Sequence, residues 1–148
     1  MPTEEIEAGT PGAQADPFAG RWTLLQVGPY RGSVTAFYYG EPRVTGPDYA
    51  RRDVLIIDSE NNGGVRTNRL TLGIHCRTGH TVEVDNWNFD AQHQLVSSDQ
   101  PMRGWGQAQP GTWQARLHEA TCAADRPTAE ATTEVQQHAL ALFRRQGR

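Results

Sequence analysis

The sequence RLTLGIHC (residues 69–76) opens the stretch that decides the fold, which continues to residue 123 and contains both cysteines, Cys76 and Cys122. In this octapeptide, Leu70 and every second residue after it are apolar or cysteine, and the residues between them are polar or glycine. Such alternation predicts a strand with one buried face. The Arg-Thr-Gly that follows predicts a turn into a second strand.

The second strand, HTVEVDNWNFD (residues 80–90), contains two groups of apolar residues that differ in parity. Its two valines fall on one parity, whereas Trp87 and Phe89 fall on the other. A regular strand would expose one of these groups to solvent. The sequence therefore predicts a β-bulge near Asp85 and Asn86 that returns both groups to one face.

The rest of the stretch combines a short strand with an amphipathic helix. DAQHQLVSS (residues 90–98) predicts a turn and a strand that contains Leu95 and Val96. Pro110-Gly111 then precedes TWQARLHEATCA (residues 112–123), in which apolar residues recur at helical spacing.

The two cysteines both occupy core-side positions. Cys76 falls on the apolar face of its strand, and Cys122 lies one position beyond the apolar stripe of the helix. Two cysteines allow one intramolecular pairing, so the alternatives are a disulfide or two buried free thiols in a cytosolic protein. Position and face favour the disulfide, which would close a loop of about 47 residues and stabilise the domain by roughly 4 kcal/mol.

These motifs resemble the C-terminal half of the bacterial surface-adhesin protein E family. That family has a strand ending in Cys, a Tyr-Asp turn leading to a strand, a Pro-Gly-Ser before an amphipathic segment, and a final Cys-Ala. The matching positions here are Cys76, Phe89-Asp90, Val96-Ser97-Ser98, Pro110-Gly111-Thr112 and Cys122-Ala123. Gln94 stands where the family has a turn glycine, and the match covers clearly about a third of the chain.

The resemblance implies an antiparallel sheet with a C-terminal helix and a protein exposed at the bacterial surface. Members of the family contact host extracellular-matrix or plasma proteins. The residues that make those contacts are not among the matched positions, so the resemblance does not specify a partner for this chain.

The remaining sequence predicts three more strands and a helix. The strands are FAGRWTLLQVG (18–28), SVTAFYY (33–39) and DVLIIDS (53–59), the last covered on both faces. Turns are predicted at 28–32 and 60–64, and GEPRVTGPDYARR (40–52) predicts a loop or irregular edge. The C-terminal helix is predicted over 127–146, with Pro127 at its start and Thr128 as its cap.

The fold class expected from these elements is α+β. An antiparallel sheet of about six strands packs with the helix 127–146 in a single domain over residues 18–148. The apolar stripe of that helix is long enough to cross a sheet and consists of Ala131, Val135, Ala139, Leu142 and Phe143.

Residues 1–17 form an acidic segment that predicts a flexible tail or linker. They contribute −4 to the net charge of −3, so the rest of the chain is near neutral at +1 and gives no reason to expect nucleic-acid binding. The tail lacks the regions of a signal peptide, and no apolar run reaches transmembrane length. The protein is therefore either cytosolic, or exported with a signal or lipid anchor that has been removed. With the disulfide, we expect a periplasmic or outer-surface location.

Sequence motifs for catalysis or metal binding are lacking. The five histidines form no HExxH pair, and two cysteines make no CxxC site, so neither a metal nor a cofactor is expected. His75 and Cys76 are adjacent on a strand and point to opposite faces, which argues against a Cys–His nucleophile. Convergence of His75, His80 or His93 with Asp85 or Asp90 is the enzymatic alternative, but scattered surface polar residues explain them better.

Two loop segments are candidates for partner binding. Trp105 stands between two glycines with Arg103 close by, and Tyr49 stands beside Arg51 and Arg52. An exposed aromatic residue next to arginine is typical of protein interfaces. The alternatives are a tryptophan folded back over the sheet edge and a solvated basic loop.

We therefore expect a non-enzymatic, exported binding domain, either adhesin-like or an accessory subunit of a cell-envelope assembly that its acidic tail contacts. Its partner is expected to be a host surface protein or that assembly. One alternative is a lipocalin-like barrel for a small hydrophobic ligand, which the Gly20-x-Trp22 motif suggests. The other is a small enzyme that uses histidine and aspartate.

Overall fold

The computed structural model of the chain describes residues 16–99, 104–123 and 130–147. The strands are β1 Trp22–Tyr30, β2 Ser33–Tyr39, β3 Arg43–Gly46, β4 Tyr49–Asn62, β5 Val65–His75, β6 His80–Phe89, β7 Leu95–Asp99, β8 Gly106–Gln107 and β9 Ala131–Thr132. The helices are α1 Trp113–Cys122 and α2 Val135–Gly147.

In the described part of the chain, nine strands form one antiparallel sheet with the order β7–β6–β5–β4–β2–β1–β9. β3 pairs with the start of β4, and β8 pairs with the start of β6. This path is open, with β7 and β9 at its two ends, whereas the strands of a lipocalin-like barrel close on themselves. The predicted α+β class is confirmed, and the six predicted strands correspond to β1, β2 and β4 to β7.

Helix α2 covers one face of the sheet, which we call the α2 face. Val135 and Ala139 of the helix pack on Trp22, Tyr38 and Leu55 of the sheet, and all five side chains are buried. From Val135 onward, the apolar stripe predicted for the C-terminal helix therefore packs across the sheet, whereas Ala131, its predicted first member, is exposed and lies in β9.

Helix α1 covers the opposite face, which we call the α1 face. Trp113 and Leu117 of the helix pack on Phe37, Val54 and Leu70. Val54 and its neighbour in β4, Leu55, are both 0% exposed although they point to opposite faces. The prediction that this strand is covered on both faces is thus confirmed.

Two hairpins close with two-residue turns in which both central residues have positive φ. These are Arg31 and Gly32 (φ 53° and 91°) between β1 and β2, and Gly63 and Gly64 (φ 64° and 87°) between β4 and β5. Such turns match the right-handed twist of the flanking strands. The turn predicted over 28–32 is wrong in extent, because β1 continues to Tyr30 and the turn itself needs only two residues.

A β-bulge in β6 lies next to the predicted position. Thr71 pairs with Asp85 and Leu72 pairs with Glu83, so Val84 is the extra residue. The bulge shifts the register by one residue. Val82 therefore shares the α2 face with Trp87 and Phe89, which confirms the predicted change of register, whereas Val84 is the bulged residue itself.

The segment 40–52, predicted as a loop or irregular edge, contains β3, whose pairing with β4 has a register shift, and the start of β4. Arg43 pairs with Arg51, and β4 continues without interruption into the apolar run. The loop alternative was wrong because the two prolines, Pro42 and Pro47, flank the short strand rather than interrupt it.

The predicted start of the C-terminal helix is also wrong. Residues 131 and 132 form β9, which pairs with Trp22 and Thr23 of β1, and the helix begins only at Val135. Pro127 and Thr128, the predicted start and cap, lie outside the described residues. Pairing with the edge of β1 overrides the helical pattern there, since β-branched threonines favour strands.

The predicted disulfide between Cys76 and Cys122 is present, with Cα atoms 5.5 Å apart. It joins the turn after β5 to the last residue of α1. At the other end of this helix, the hydroxyl of Thr112 accepts a hydrogen bond from the backbone N–H of Ala115 (3.3 Å). Both helices are too short or too polar to cross a membrane, within the residues described.

Candidate functional site

Three aromatic rings meet on the α2 face at the end of the sheet away from α2, and we call this group the aromatic patch. Tyr49 and His75 are paired across β4 and β5, with ring centroids 4.4 Å apart. The Trp105 ring lies 5.7 Å from that of Tyr49 and 6.3 Å from that of His75. Tyr49 is 41% exposed and Trp105 is 45% exposed, so two large apolar surfaces face solvent side by side.

Gly73 makes room for Trp105 on the sheet. A Cβ at this position would lie 3.2 Å from Cη2 of Trp105 and 2.9 Å from Cγ1 of Val82. Strand β8 follows Trp105 directly and pairs with the start of β6, which fixes the direction from which the indole reaches the sheet. Trp105 therefore both lies over the sheet and remains exposed, combining the two alternatives considered from sequence.

The backbone beneath the patch is tied to the disulfide turn. The N–H of Cys76 donates to the carbonyl of Asp48 (2.8 Å), and Arg77 forms an ion pair with the Asp48 carboxylate (3.5 Å). Nε2 of His118, on α1, lies 3.2 Å from the carbonyl oxygen of His75. The patch thus rests on backbone that several contacts hold in place.

The three arginines predicted for partner binding have different positions. Arg51 lies directly opposite Gly73 in the pairing of β4 with β5, on the same face as the patch. Arg52 is 4% exposed; its guanidinium donates to the carbonyl of Gly40 (2.5 Å) and to the hydroxyl of Thr121 (3.1 Å). These two hydrogen bonds are internal and lie beneath the end of α1. Arg103 lies outside the described residues.

Asp53 is the centre of a polar network at the middle of the α2 face. Its carboxylate accepts hydrogen bonds from Arg43 (3.1 Å), Arg69 (3.0 Å) and the hydroxyl of Thr71 (3.0 Å). Burial alone raises the pKa of Asp53, but the hydrogen bonds and charges of the two arginines outweigh it and leave the pKa below its ordinary value. Asp53 is therefore ionised and satisfied, as a structural ion pair requires.

Asp85 lies beside this network on β6. Burial raises the pKa of its carboxyl, hydrogen bonding with Thr71 opposes that effect, and the negative charge of Asp53 adds to it, so that the net pKa lies above the ordinary value. The pKa of Asp53 is thus lowered, and the pKa of Asp85 is raised, from the same ordinary value. Sequence spacing could not reveal this pair, because β4 and β6 come together only through β5.

The other polar candidates are dispersed. His80 is bonded to Thr78 in its own turn (2.8 Å), and the carboxylate of Asp90 accepts the backbone N–H groups of Gln92 and Gln94. His93 lies at the opposite end of the sheet, with its ring 4.8 Å from that of Phe18. Among the described residues, no three His, Cys, Asp or Glu side chains come close enough to hold a metal ion.

A Tyr–His–Glu chain connects α2 to the sheet. The hydroxyl of Tyr38 lies 2.8 Å from Nδ1 of His138, and Nε2 of His138 lies 3.5 Å from the carboxylate of Glu130. Burial and the charge of Glu130 raise the pKa of the Tyr38 hydroxyl above its ordinary value, so it remains a protonated donor at physiological pH. These contacts between Tyr38, His138 and Glu130 hold α2 against the sheet.

A shallow apolar cavity of about 280 Å³ lies between α2 and the turn that precedes β7. Phe18, Ile57, Leu140 and Phe143 supply most of its apolar lining. A helix forms one of its walls, unlike the strand-enclosed cavity that the barrel alternative requires.

Comparison with known proteins adds no relative: no protein-family model, no curated protein and no solved structure matches this chain. The resemblance to the surface-adhesin protein E family therefore stays a prediction. The sequence analysis did not place Gly73 or His75 in the aromatic patch. The signal for Gly73 was a glycine at an otherwise regular position of a strand, which often marks a close approach.

Proposed function

We propose that this chain is an exported, non-enzymatic binding domain that contacts a protein partner through the aromatic patch. The observation that carries the proposal is the adjacent placement of Tyr49 (41% exposed) and Trp105 (45% exposed) around His75. Exposed tyrosine and tryptophan side chains are enriched among the residues that dominate protein interfaces.

The patch is suited to binding because its members are already ordered. Ring-to-ring contacts and the glycine beneath Trp105 hold the aromatic surfaces in one arrangement, so little side-chain entropy remains to be lost on association. The exposed part of each ring amounts to roughly 100 Å², which corresponds to about 2–3 kcal/mol per residue on full burial. Two such residues are enough to form the centre of a binding site.

Export is supported by the disulfide together with the resemblance to a surface-protein family. Disulfides persist in oxidising compartments and are rare in the cytosol of mesophiles. The Cys76–Cys122 bond is compatible with a periplasmic or outer-surface location.

Site-specific photo-crosslinking tests the partner surface. A photoreactive phenylalanine analogue is introduced at position 105 or 49 of the full chain, in its own organism, and adducts are identified by mass spectrometry. Leu140 provides the matched control, since it is also 45% exposed but lies on α2, at the lining of the separate apolar cavity and away from the patch. We expect a discrete protein adduct from positions 105 and 49, and none from 140.

With the probe at position 49, the same adduct should be lost when Gly73→Ala displaces the unaltered Trp105. Absence of a discrete adduct at 105 and 49, or equal adducts at 140, would overturn the proposed surface. Export is tested separately by the intact mass of the native protein with and without reduction and alkylation. Two thiols that react without prior reduction would contradict export.

A further inference from the structure

A cleft of about 510 Å³ opens on the α1 face, at the end of the sheet that α1 leaves uncovered. Its floor consists of side chains from β2, β4, β5 and β6, and its walls come from the β1–β2 turn and the first turn of α1. The volume lies within the range of about 300–1,000 Å³ that is typical of small-molecule sites. It is separated from the aromatic patch by the sheet itself.

The floor of this cleft is a ladder of amides. Asn68 on β5 donates hydrogen bonds to the side-chain oxygens of Asn86 and Asn88 on β6, the latter at 2.9 Å. Asn86 in turn donates to Glu83, and Asn88 donates to Ser97 (3.1 Å). This network orients the amide groups and leaves further donors and acceptors at the cleft surface.

The walls add aromatic surface and balanced charge. The rings of Tyr30, Phe37 and Trp113 form a continuous series with centroids 5.2 and 5.6 Å apart, and the first and last of them line the cleft. Its charged lining residues are two arginines, one aspartate and one glutamate, so the formal charges cancel.

The strongest evidence that this cleft binds a ligand comes from Thr35. It lies on the cleft lining and is 2% exposed, yet its hydroxyl has no hydrogen-bond partner among the described residues. A buried hydroxyl without a partner destabilises a folded protein, and such groups are rare in native structures. A ligand that bonds this hydroxyl would explain why threonine is present where valine has the same shape.

We propose that this cleft binds a neutral saccharide of one or two sugar units. Sugar hydroxyls both donate and accept hydrogen bonds, which matches a floor of oriented amides and the unpaired hydroxyl of Thr35. The apolar face of a sugar ring fits against the aromatic wall at Tyr30 and Trp113. Cancelled charges give an anion or a cation no electrostatic advantage, and the polar floor disfavours an apolar ligand.

The test is titration of the full chain with glucose, galactose, mannose, N-acetylglucosamine and their disaccharides, followed by NMR. Sialic acid and glucosamine serve as charged comparison probes. The reporters are the side-chain amides of Asn68, Asn86 and Asn88, and the indole of Trp113. We expect saturable shifts of these reporters with at least one neutral sugar, at a Kd of about 1 mM or tighter.

Thr35→Val is the decisive variant, because it removes the unpaired hydroxyl and keeps the shape of the side chain. Removal of the unpaired hydroxyl should raise the melting temperature of the free protein and weaken binding of the same sugar by about threefold to tenfold. Thr35→Ser should restore the affinity. Thr67→Val is the matched control, since Thr67 is equally buried (2% exposed) but lies on the α2 face, and it should leave affinity unchanged.

Three results would overturn the proposal. The first is that no sugar shifts the cleft reporters. The second is that only a charged probe does so, or that sugars shift the indole of Trp105 instead of the cleft. The third is that Thr35→Val stabilises the protein without weakening sugar binding, which would make the unpaired hydroxyl a purely structural feature.

Discussion

Removal of the Cys76–Cys122 disulfide should destabilise the domain by about 4 kcal/mol, as the chain-entropy relation gives for the loop that it closes. The two residues are 46 positions apart, and the loop contains β6, β7, β8 and α1. For a domain of this size a change of that magnitude corresponds to a fall of roughly 12–16 °C in melting temperature.

Without the disulfide, unfolding should begin at α1. This helix has ten residues and buries two side chains, Trp113 and Leu117. Burial of two such side chains contributes roughly 3–6 kcal/mol, whereas ordering ten residues costs on the order of 10–20 kcal/mol in backbone entropy. Isolated helices of this length are marginal in water, so α1 depends on the bridge at its C-terminal end.

The assay compares the parent protein with the Cys76→Ala/Cys122→Ala double variant by urea denaturation and by amide hydrogen exchange. The double variant should lose about 4 kcal/mol of unfolding free energy, and the amides of α1 should exchange faster before those of β4 and β5 do. Reduction of the parent protein should reproduce this loss, and the double variant should be insensitive to reductant. A loss below about 1 kcal/mol, with unchanged exchange in α1, would refute the reasoning.

Three further predictions test the core, the polar network and the patch. Leu117→Ala should cost about 2–5 kcal/mol in urea denaturation because Leu117 is fully buried, whereas Leu140→Ala, at an exposed helix position, should stay within about 0.5 kcal/mol. Asp53→Asn should cost about 1–3 kcal/mol at pH 7, because the partly buried Arg69 loses its anion whereas the half-exposed Arg43 is screened by solvent. The pKa of Asp53 in the folded state lies below its value in the unfolded state. Its contribution to the free energy of unfolding is therefore complete above about pH 4 and is lost as the pH falls through the folded pKa. If the difference in unfolding free energy between the parent protein and Asp53→Asn does not shrink in acid, this reasoning is contradicted. Gly73→Ala should cost about 1–3 kcal/mol and change the fluorescence of Trp105, and an unchanged spectrum would show that the indole does not lie over the glycine.

Several features of the site could be predicted from the sequence, and others could not. Trp105 was predicted as a contact residue from its type and flanking glycines, and Tyr49 from its type and neighbouring arginines; both are exposed. Their meeting with His75 was not predicted, because Tyr49 reaches its partner through strand pairing and Trp105 through β8. Arg52 was grouped with Arg51 from adjacency alone. Adjacent strand residues point to opposite faces, and Arg52 is buried as a result.

The sequence by itself determined the local elements. Alternation, β-branched and aromatic composition, and one continuous apolar run identified six strands. The parity change in β6 predicted the bulge within a residue or two, and apolar spacing predicted α1 and the body of α2. Cysteine number and facing predicted the disulfide. These features depend on residues close together in the chain, whose backbone preferences and side-chain directions act without reference to distant segments.

The tertiary structure decided what depends on contacts between distant segments. Residues 131 and 132 became a strand because the edge of β1 was available for pairing, although their own pattern favoured a helix. The proximity of Asp53 to Asp85 and the assembly of the amide ladder both follow from the strand order. The unpaired hydroxyl of Thr35 likewise depends on which side chains surround it after folding. Burial and hydrogen-bond satisfaction are properties of the packed chain, so no local pattern encodes them.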